Sequence, residues 1–249
     1  MRFHAALLGL SVSSSLVHAH YTFGRLLIND TVIEDYRYIR KATSYLPFYV
    51  EETQNNSLRC FHGVTDGAGV ETATIIAGDT VGLGVYLASY SDLPYIYHAG
   101  PANAYLSRAP DDDLESYLGD GDWFKIGEYG PKDSSTWELG GVDKWKLTFM
   151  NFTIPETTPP GKYLLRGEHL FPLYPGYANL QFYVGCVHVD IVGPGGGSPG
   201  PMIKLPEDYT ALAHNDSIAF PPRWAEYPEE GVVRDLSDFT PPGPSVWTG

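Results

Sequence analysis

The sequence predicts an all-β fold, antiparallel strands joined by turns and long loops. Three observations carry that expectation. Glycine (27) and proline (20) are too frequent for a helical chain of 249 residues, because both interrupt helices and serve turns. Aromatic residues reach 14 %, and large rings suit the pleated surface of a strand. Residues also alternate with a period of two, most clearly from Gln181 to Val192, which is the repeat of a strand rather than of a helix.

The elements follow in order. Tyr21-Thr22-Phe23 leads to Leu26-Leu27-Ile28 and a turn at Asn29-Asp30; Tyr36 to Arg40 continues the series. Residues 41–59, polar and aromatic with Pro47, read as a loop. Glu71 to Ile76 and Val81 to Leu87 read as a hairpin across Ala77-Gly78-Asp79, ordinary turn chemistry. Ala104 to Ser107, Phe124 to Glu128 and Lys146 to Phe149 supply further strands, and the acidic stretch Asp111 to Asp122 reads as surface loop. The turn Pro155 to Pro160 introduces Gly161 to His169. In the strand Gln181 to Val192, Gln181, Tyr183, Gly185, Val187, Val189 and Ile191 share one face, and Phe182, Val184, Cys186, His188 and Asp190 the other. Gly193 to Pro201 looks like a linker, yet few strand signals follow it, so the rest is expected to wrap over the core as a tail. The expected architecture is a two-sheet antiparallel β-sandwich of immunoglobulin-like type with long loops.

Charge and cysteine content narrow the function. The formal net charge is −14, which excludes binding to nucleic acid or an anionic membrane through overall charge and suits a neutral partner or a small ligand. Arg2 is the only charge in the first 19 residues. An apolar run, Ala5 to Leu10, follows it, then small serines, with Val17 and Ala19 at the −3 and −1 positions of a cut. Residues 1–19 thus read as a signal peptide, too short for a membrane span, and residues 20–249 as one secreted domain, catalytic if the resemblance drawn below holds. Two cysteines, Cys60 and Cys186, sent to an oxidising compartment, read as one disulfide worth ~2–4 kcal/mol. Four sequons, at Asn29, Asn55, Asn151 and Asn215, fit N-glycosylation.

A cut after Ala19 makes His20 the first residue. Its free α-amine and its imidazole Nδ1 can then grip one metal ion together, and Cu(II) favours such nitrogen donors in a tetragonal arrangement. The scaffold would have to bring a second histidine and an axial ligand to that terminus. His98, before Gly100-Pro101, and Tyr183, two residues after Gln181, are the candidates.

With Leu58-Arg59-Cys60, ETATIIAGDTVGLGV, HAGPANAYLSRAP, PPGKYLLRGEH, QFYVGC and the closing TPPGPSVW, the chain from His20 onward resembles the fungal lytic polysaccharide monooxygenases of auxiliary activity family 9. The resemblance implies one copper per chain in a histidine brace: His20 by its amine and Nδ1, His98 by a ring nitrogen, Tyr183 on the axial side. Gln181 would donate a hydrogen bond towards the oxygen species. It also implies a cellulose or other β-glucan surface as substrate, cleaved at C1 or C4, with an external electron donor, O2 or H2O2, and a monomeric protein. Flat aromatic residues would pack on sugar faces; Tyr21, Phe220 and Trp224 are the candidates near the terminus and tail. One departure stands out. The family commonly shows Arg-x-Glu-x-x-Ala-Leu-His, whereas the run here is Arg166 to Leu173, with Leu173 where that histidine is expected and His169 four residues earlier. Leu173 keeps open the alternative of a copper-binding protein of the same fold that does not cleave polysaccharide. A glycoside hydrolase would need two carboxylates flanking a cleft, and no convincing pair is present.

Overall fold

The computed structural model describes residues 20–49, 56–64, 66–86, 95–140, 147–172, 180–208, 222–225 and 231–249. In chain order the strands are β1 (Phe23–Ile28), β2 (Thr31–Val32), β3 (Phe48–Tyr49), β4 (Ala73–Ile76), β5 (Thr80–Val85), β6 (Ala102–Arg108), β7 (Asp122–Tyr129), β8 (Phe149–Thr153), β9 (Gly161–Phe171), β10 (Gln181–Val192) and β11 (Met202–Lys204). They form two sheets. The smaller has the order β2-β1-β5-β8, and the larger β11-β7-β6-β9-β10-β3, with β4 also on β10. The pairings are antiparallel except β4 on β10, which is parallel. This is the expected β-sandwich.

The alternation along β10 explains its central place. Tyr183, Val187, Val189 and Ile191 enter the core between the sheets together with Phe23, Leu83, Leu106 and Leu165. Phe182, Val184 and Cys186 enter a second core on the outer face, with Phe48, Leu58, Phe61, Trp123 and Leu164. Fully burying such an aliphatic or aromatic side chain stabilises by roughly 1.5–3 kcal/mol each, so β10, buried on both faces, is firmly anchored. Cys60 and Cys186 form the expected disulfide, spanning 126 residues. It ties the loop after Leu58 to the outer face of β10.

Three strand expectations are corrected. β4 and β5 are not a hairpin: β5 pairs with β1 and β8, whereas β4 pairs with β10 in the other sheet. The turn between them carries the chain across the sandwich. It is held by side chains instead of a ladder, because Ile76 N donates to Asp79 Oδ2 and Asn29 Nδ2 to Asp79 Oδ1. Tyr36 to Arg40 contributes one isolated bridge, Ile39 to Val187. Tyr36 takes a positive φ of 57°, which turns the chain before it meets β10, and the backbone bonds Arg40 N to Cys186 O and His188 N to Tyr38 O flank that bridge. β8 begins at Phe149, later than expected, and residues 141–146 lie outside the described residues. The loop of residues 41–59 holds the short β3 and a 3-10 turn, Asn56–Leu58.

Residues 242–247 of the tail pack against β7. Lys125 on β7 is fully buried and donates through Nζ to Pro242 O at 2.7 Å, and its own carbonyl accepts from Trp247 N. Trp247 stands edge-on to Phe124 at 5.4 Å. Among the described residues no helix is long and apolar enough to cross a membrane. Asn29 and Asn151 are exposed, while Asn55 and Asn215 lie outside the described residues.

Candidate metal centre

Three segments meet at one end of the sandwich. His20 and Tyr21 precede β1, His98 lies in the loop that enters β6, and Gln181 and Tyr183 open β10. Ring centroids are 6.3 Å apart for His20 and His98, 6.4 Å for His20 and Tyr183, and 5.6 Å for His98 and Tyr183. The residues expected to form a brace and its axial ligand are therefore neighbours. Gln181 joins them through its Oε1, which accepts from the Tyr183 hydroxyl at 2.6 Å. That bond commits the carbonyl end of the amide and leaves the NH2 end as the donor.

His98 is held tightly. Its carbonyl packs on Gly140, where an added Cβ would lie 1.6 Å from His98 O, and Gly140 has φ +76°. Two residues on, Gly100 bridges to Leu139 and lies so close to Leu170 O that a Cβ would meet it at 1.9 Å. Only glycine fits either approach. The imidazole itself stacks on Phe171 at 4.0 Å with planes 16° apart, and Tyr97 stands edge-on at 5.3 Å.

The electrostatics favour neutral donors. Burial, then the neighbouring His20, pushes the His98 pKa down to about 3. The ring is thus neutral at ordinary pH, as a metal ligand must be. Its Nε2 is buried and has no hydrogen-bond partner among the described residues. A buried polar atom left so costs ~1–3 kcal/mol, a cost that a ligand at that nitrogen would remove. Burial, then Tyr49, pushes the Tyr183 phenol well up, so it stays protonated and neutral.

These residues fit a copper ion better than the common alternatives. Both cysteines are consumed by the disulfide, and among the described residues no group of three or more His, Cys, Asp or Glu comes together. A calcium or magnesium site needs carboxylates, and a structural zinc site needs four protein ligands. Two imidazoles and a phenol suit copper, and a terminal amine would join them if the chain were cut before His20.

Several expected site residues fall elsewhere. Tyr21 is corrected: it is 2 % exposed, so it cannot lay its ring on a sugar. Its ring instead stacks on Tyr183 at 4.3 Å and its hydroxyl bonds His169 Nδ1. Trp224 is corrected too. It packs at 9 % exposure in a small core with Ala99, Trp137 and Leu236, and its Nε1 donates to Asp238 Oδ1. Phe220 and Leu173 lie outside the described residues. His169, the candidate stand-in for a histidine at position 173, is completely buried on β9 opposite Tyr183. Its Nδ1 is taken by Tyr21, which places it behind the centre instead of at a solvent-facing position. Phe171, Tyr97 and Gly140 were missed. The HxGP pattern after His98 marks a tight loop, but nothing in the sequence says which distant residue closes on it.

The model of Auxiliary Activity family 9 (formerly GH61) matches residues 20–225. The chain is 38 % identical to AA9 family lytic polysaccharide monooxygenase U of Thermothielavioides terrestris, over 98 % of both chains. It is 34 % identical to AA9 family lytic polysaccharide monooxygenase G of Aspergillus tamarii, over 98 % of this chain and 71 % of that protein. Among solved structures, HiLPMO9B superposes with a TM-score of 0.73 at 20 % identity, over 92 % of this chain and 100 % of the other; that likeness speaks for the fold alone. With the family matched from His20 onward and relatives aligned over nearly the whole length, the chain belongs to Auxiliary Activity family 9 and is a lytic monooxygenase.

Proposed function

We propose that the chain is secreted, that residues 1–19 are removed, and that residues 20–249 act as a single unit: a copper-dependent monooxygenase that breaks cellulose or a related β-glucan by oxidation at C1 or C4. The observation that carries this reading is the buried, neutral His98 with its unpartnered Nε2, 6.3 Å ring to ring from His20. Copper bound there would supply one-electron redox chemistry and the activation of O2 or H2O2, with electrons from an external donor.

The chain's own residues have definable tasks. His20 and His98 would hold the metal with neutral nitrogens. Tyr183, buried and protonated, would bring its phenol to the metal, oriented by Gln181. The amide NH2 of Gln181 is not engaged by that bond and would serve as a hydrogen-bond donor to the co-substrate. Tyr97 beside His98 and Tyr49 opposite Gln181 are half-buried and take over the sugar-facing task from Tyr21 and Trp224. An aromatic face offers large contact area at low entropic cost. Leu173 favours one second reading, a copper protein of this fold that does not cleave polysaccharide.

The test is incubation of copper-loaded protein with swollen cellulose, ascorbate and a low dose of H2O2, with mass spectrometry of the soluble products. Oxidised oligosaccharides are expected, and Tyr97→Ala should lower their yield several-fold. Peroxide formation without oligosaccharides on every glucan tried, with copper still bound, would establish the second reading.

A further inference from the structure

Resting on the reading that His20 is the metal-binding terminus, we infer that Tyr21 and His169 form the anchor that holds that terminus in place. A chain that begins at His20 has no upstream residue to fix its direction, and free termini fray unless tied down. A metal site nonetheless needs its donors held within about 0.5 Å. The residues just after His20 are placed to supply such a tie.

Tyr21 is tied in two independent ways. Its hydroxyl pairs with His169 Nδ1 at 2.5 Å, a contact between residues 148 positions apart. Its ring lies parallel to Tyr183, 4.3 Å away with planes 18° apart. Both partners are immobile. His169 sits in β9 directly across from Tyr183 in β10, and each is fully buried. One residue further on, Thr22 Oγ1 pairs with Tyr36 Oη at 2.8 Å, and its carbonyl accepts from Tyr86 N. The chain is thus clamped from Tyr21 onward, and His20 projects from a fixed base. The same stack presses on the face of Tyr183, so one side chain positions both the terminal residue and the axial phenol. His169 is completely buried, and its part is that of a positioning residue.

The experiment separates an anchor from ordinary core packing. Six mature proteins starting at His20 are compared: wild type, Tyr21→Phe, Tyr21→Leu, His169→Leu, the double variant Tyr21→Phe/His169→Leu, and Val189→Ala as a core control at the far end of β10. Amide hydrogen exchange of residues 21–23 is measured without metal, and Cu(II) affinity and the Cu(II) EPR spectrum are measured after loading. Tyr21→Phe should speed exchange at 21–23 about tenfold and weaken copper about tenfold, the low end of the ~10–100-fold range for a lost outer partner. Tyr21→Leu should reach about 100-fold and alter the EPR parameters. Val189→Ala should lower thermal stability and leave all three unchanged. His169→Leu should match Tyr21→Phe, and the double variant should add nothing further. If Tyr21→Leu lowers stability as Val189→Ala does but leaves exchange, affinity and spectrum unchanged, the anchor is wrong. If wild type ignores copper while exchange responds as expected, the anchor stands and the copper reading fails.

Discussion

Two buried imidazoles flank the strand β10, and they are treated in opposite ways. His98 packs at the end where β10 begins, beside Tyr183; His188 projects from the other face of the same strand towards the outer core. Burial lowers both, His98 to about 3 and His188 to about 4, with His20 and Arg40 as the respective charged neighbours. At His188 the lone pair is used, because Arg40 Nε donates to its Nε2 at 2.8 Å while Arg40 Nη2 donates to Leu114 O and Tyr117 O. At His98 the corresponding nitrogen has no partner among the described residues. Burial and a low pKa alone therefore do not mark a binding site. The distinguishing feature is an acceptor left unsatisfied beside the other candidate ligands, His20 and Tyr183; His169 Nε2 is also unsatisfied among the described residues, but that ring is completely buried with its Nδ1 on Tyr21.

That contrast can be broken by exchanging the roles of the two rings. His98→Ala should weaken Cu(II) by at least ~100-fold, beyond the usual loss for an outer partner. Metal-free stability should also fall, by ~2–4 kcal/mol, because the buried ring packs on Phe171 and Tyr97. Isothermal titration and thermal denaturation of the same sample read both numbers. A loss of stability without a loss of affinity would mean that His98 is a structural residue like His188.

The converse change is Arg40→Met. It strands three buried acceptors, each worth ~1–3 kcal/mol, so stability should fall by about 3 kcal/mol and the melting temperature by ~10 °C. Copper affinity should stay within twofold. A large loss of affinity would show that the two ends of β10 are not energetically separate.

A finer test uses pH. The folded pKa of His188 lies below its unfolded value near ~6.5, so the unfolded chain binds the extra proton between the two. His188 then contributes stability that is fully present above about 6.5 and is lost as pH falls towards 4. The groups facing it are Arg40, with Asp66 acting on Arg40, and the backbone carbonyls of Leu114 and Tyr117 that hold Arg40 in place. His188→Gln keeps an acceptor for Arg40 and removes the titration. Urea denaturation of metal-free protein at pH 7, 5 and 4 should show a loss smaller by about 1–3 kcal/mol at pH 4 than in wild type. An unchanged slope would assign the acid sensitivity to other groups.

The sequence made some of these features legible and hid others for identifiable reasons. Alternation with a period of two located β10 end to end and assigned its two faces correctly. Alternation states which residues are buried but not which sheet a strand joins, and so β4 and β5 were read as a hairpin. His98, Tyr183 and Gln181 were proposed from motifs spread along the chain, and the fold brings the three together. Tyr21 was misplaced because its partners, His169 and Tyr183, are about 150 positions away and give no local signal. Trp224 hides its ring against Trp137 and Phe239 for the same reason. Long-range closure is what the linear pattern omits.

The most direct test of the central claim is one copper titration carried out on two forms of the chain, one beginning at His20 and one retaining Ala19 before it. The extra residue turns the terminal amine into an amide and removes one donor, leaving His98 and the His20 ring intact. The account predicts a single tight Cu(II) site for the first form and binding at least ~100-fold weaker for the second. Equal affinity for the two would contradict it, because the metal would then not depend on a terminal histidine at all.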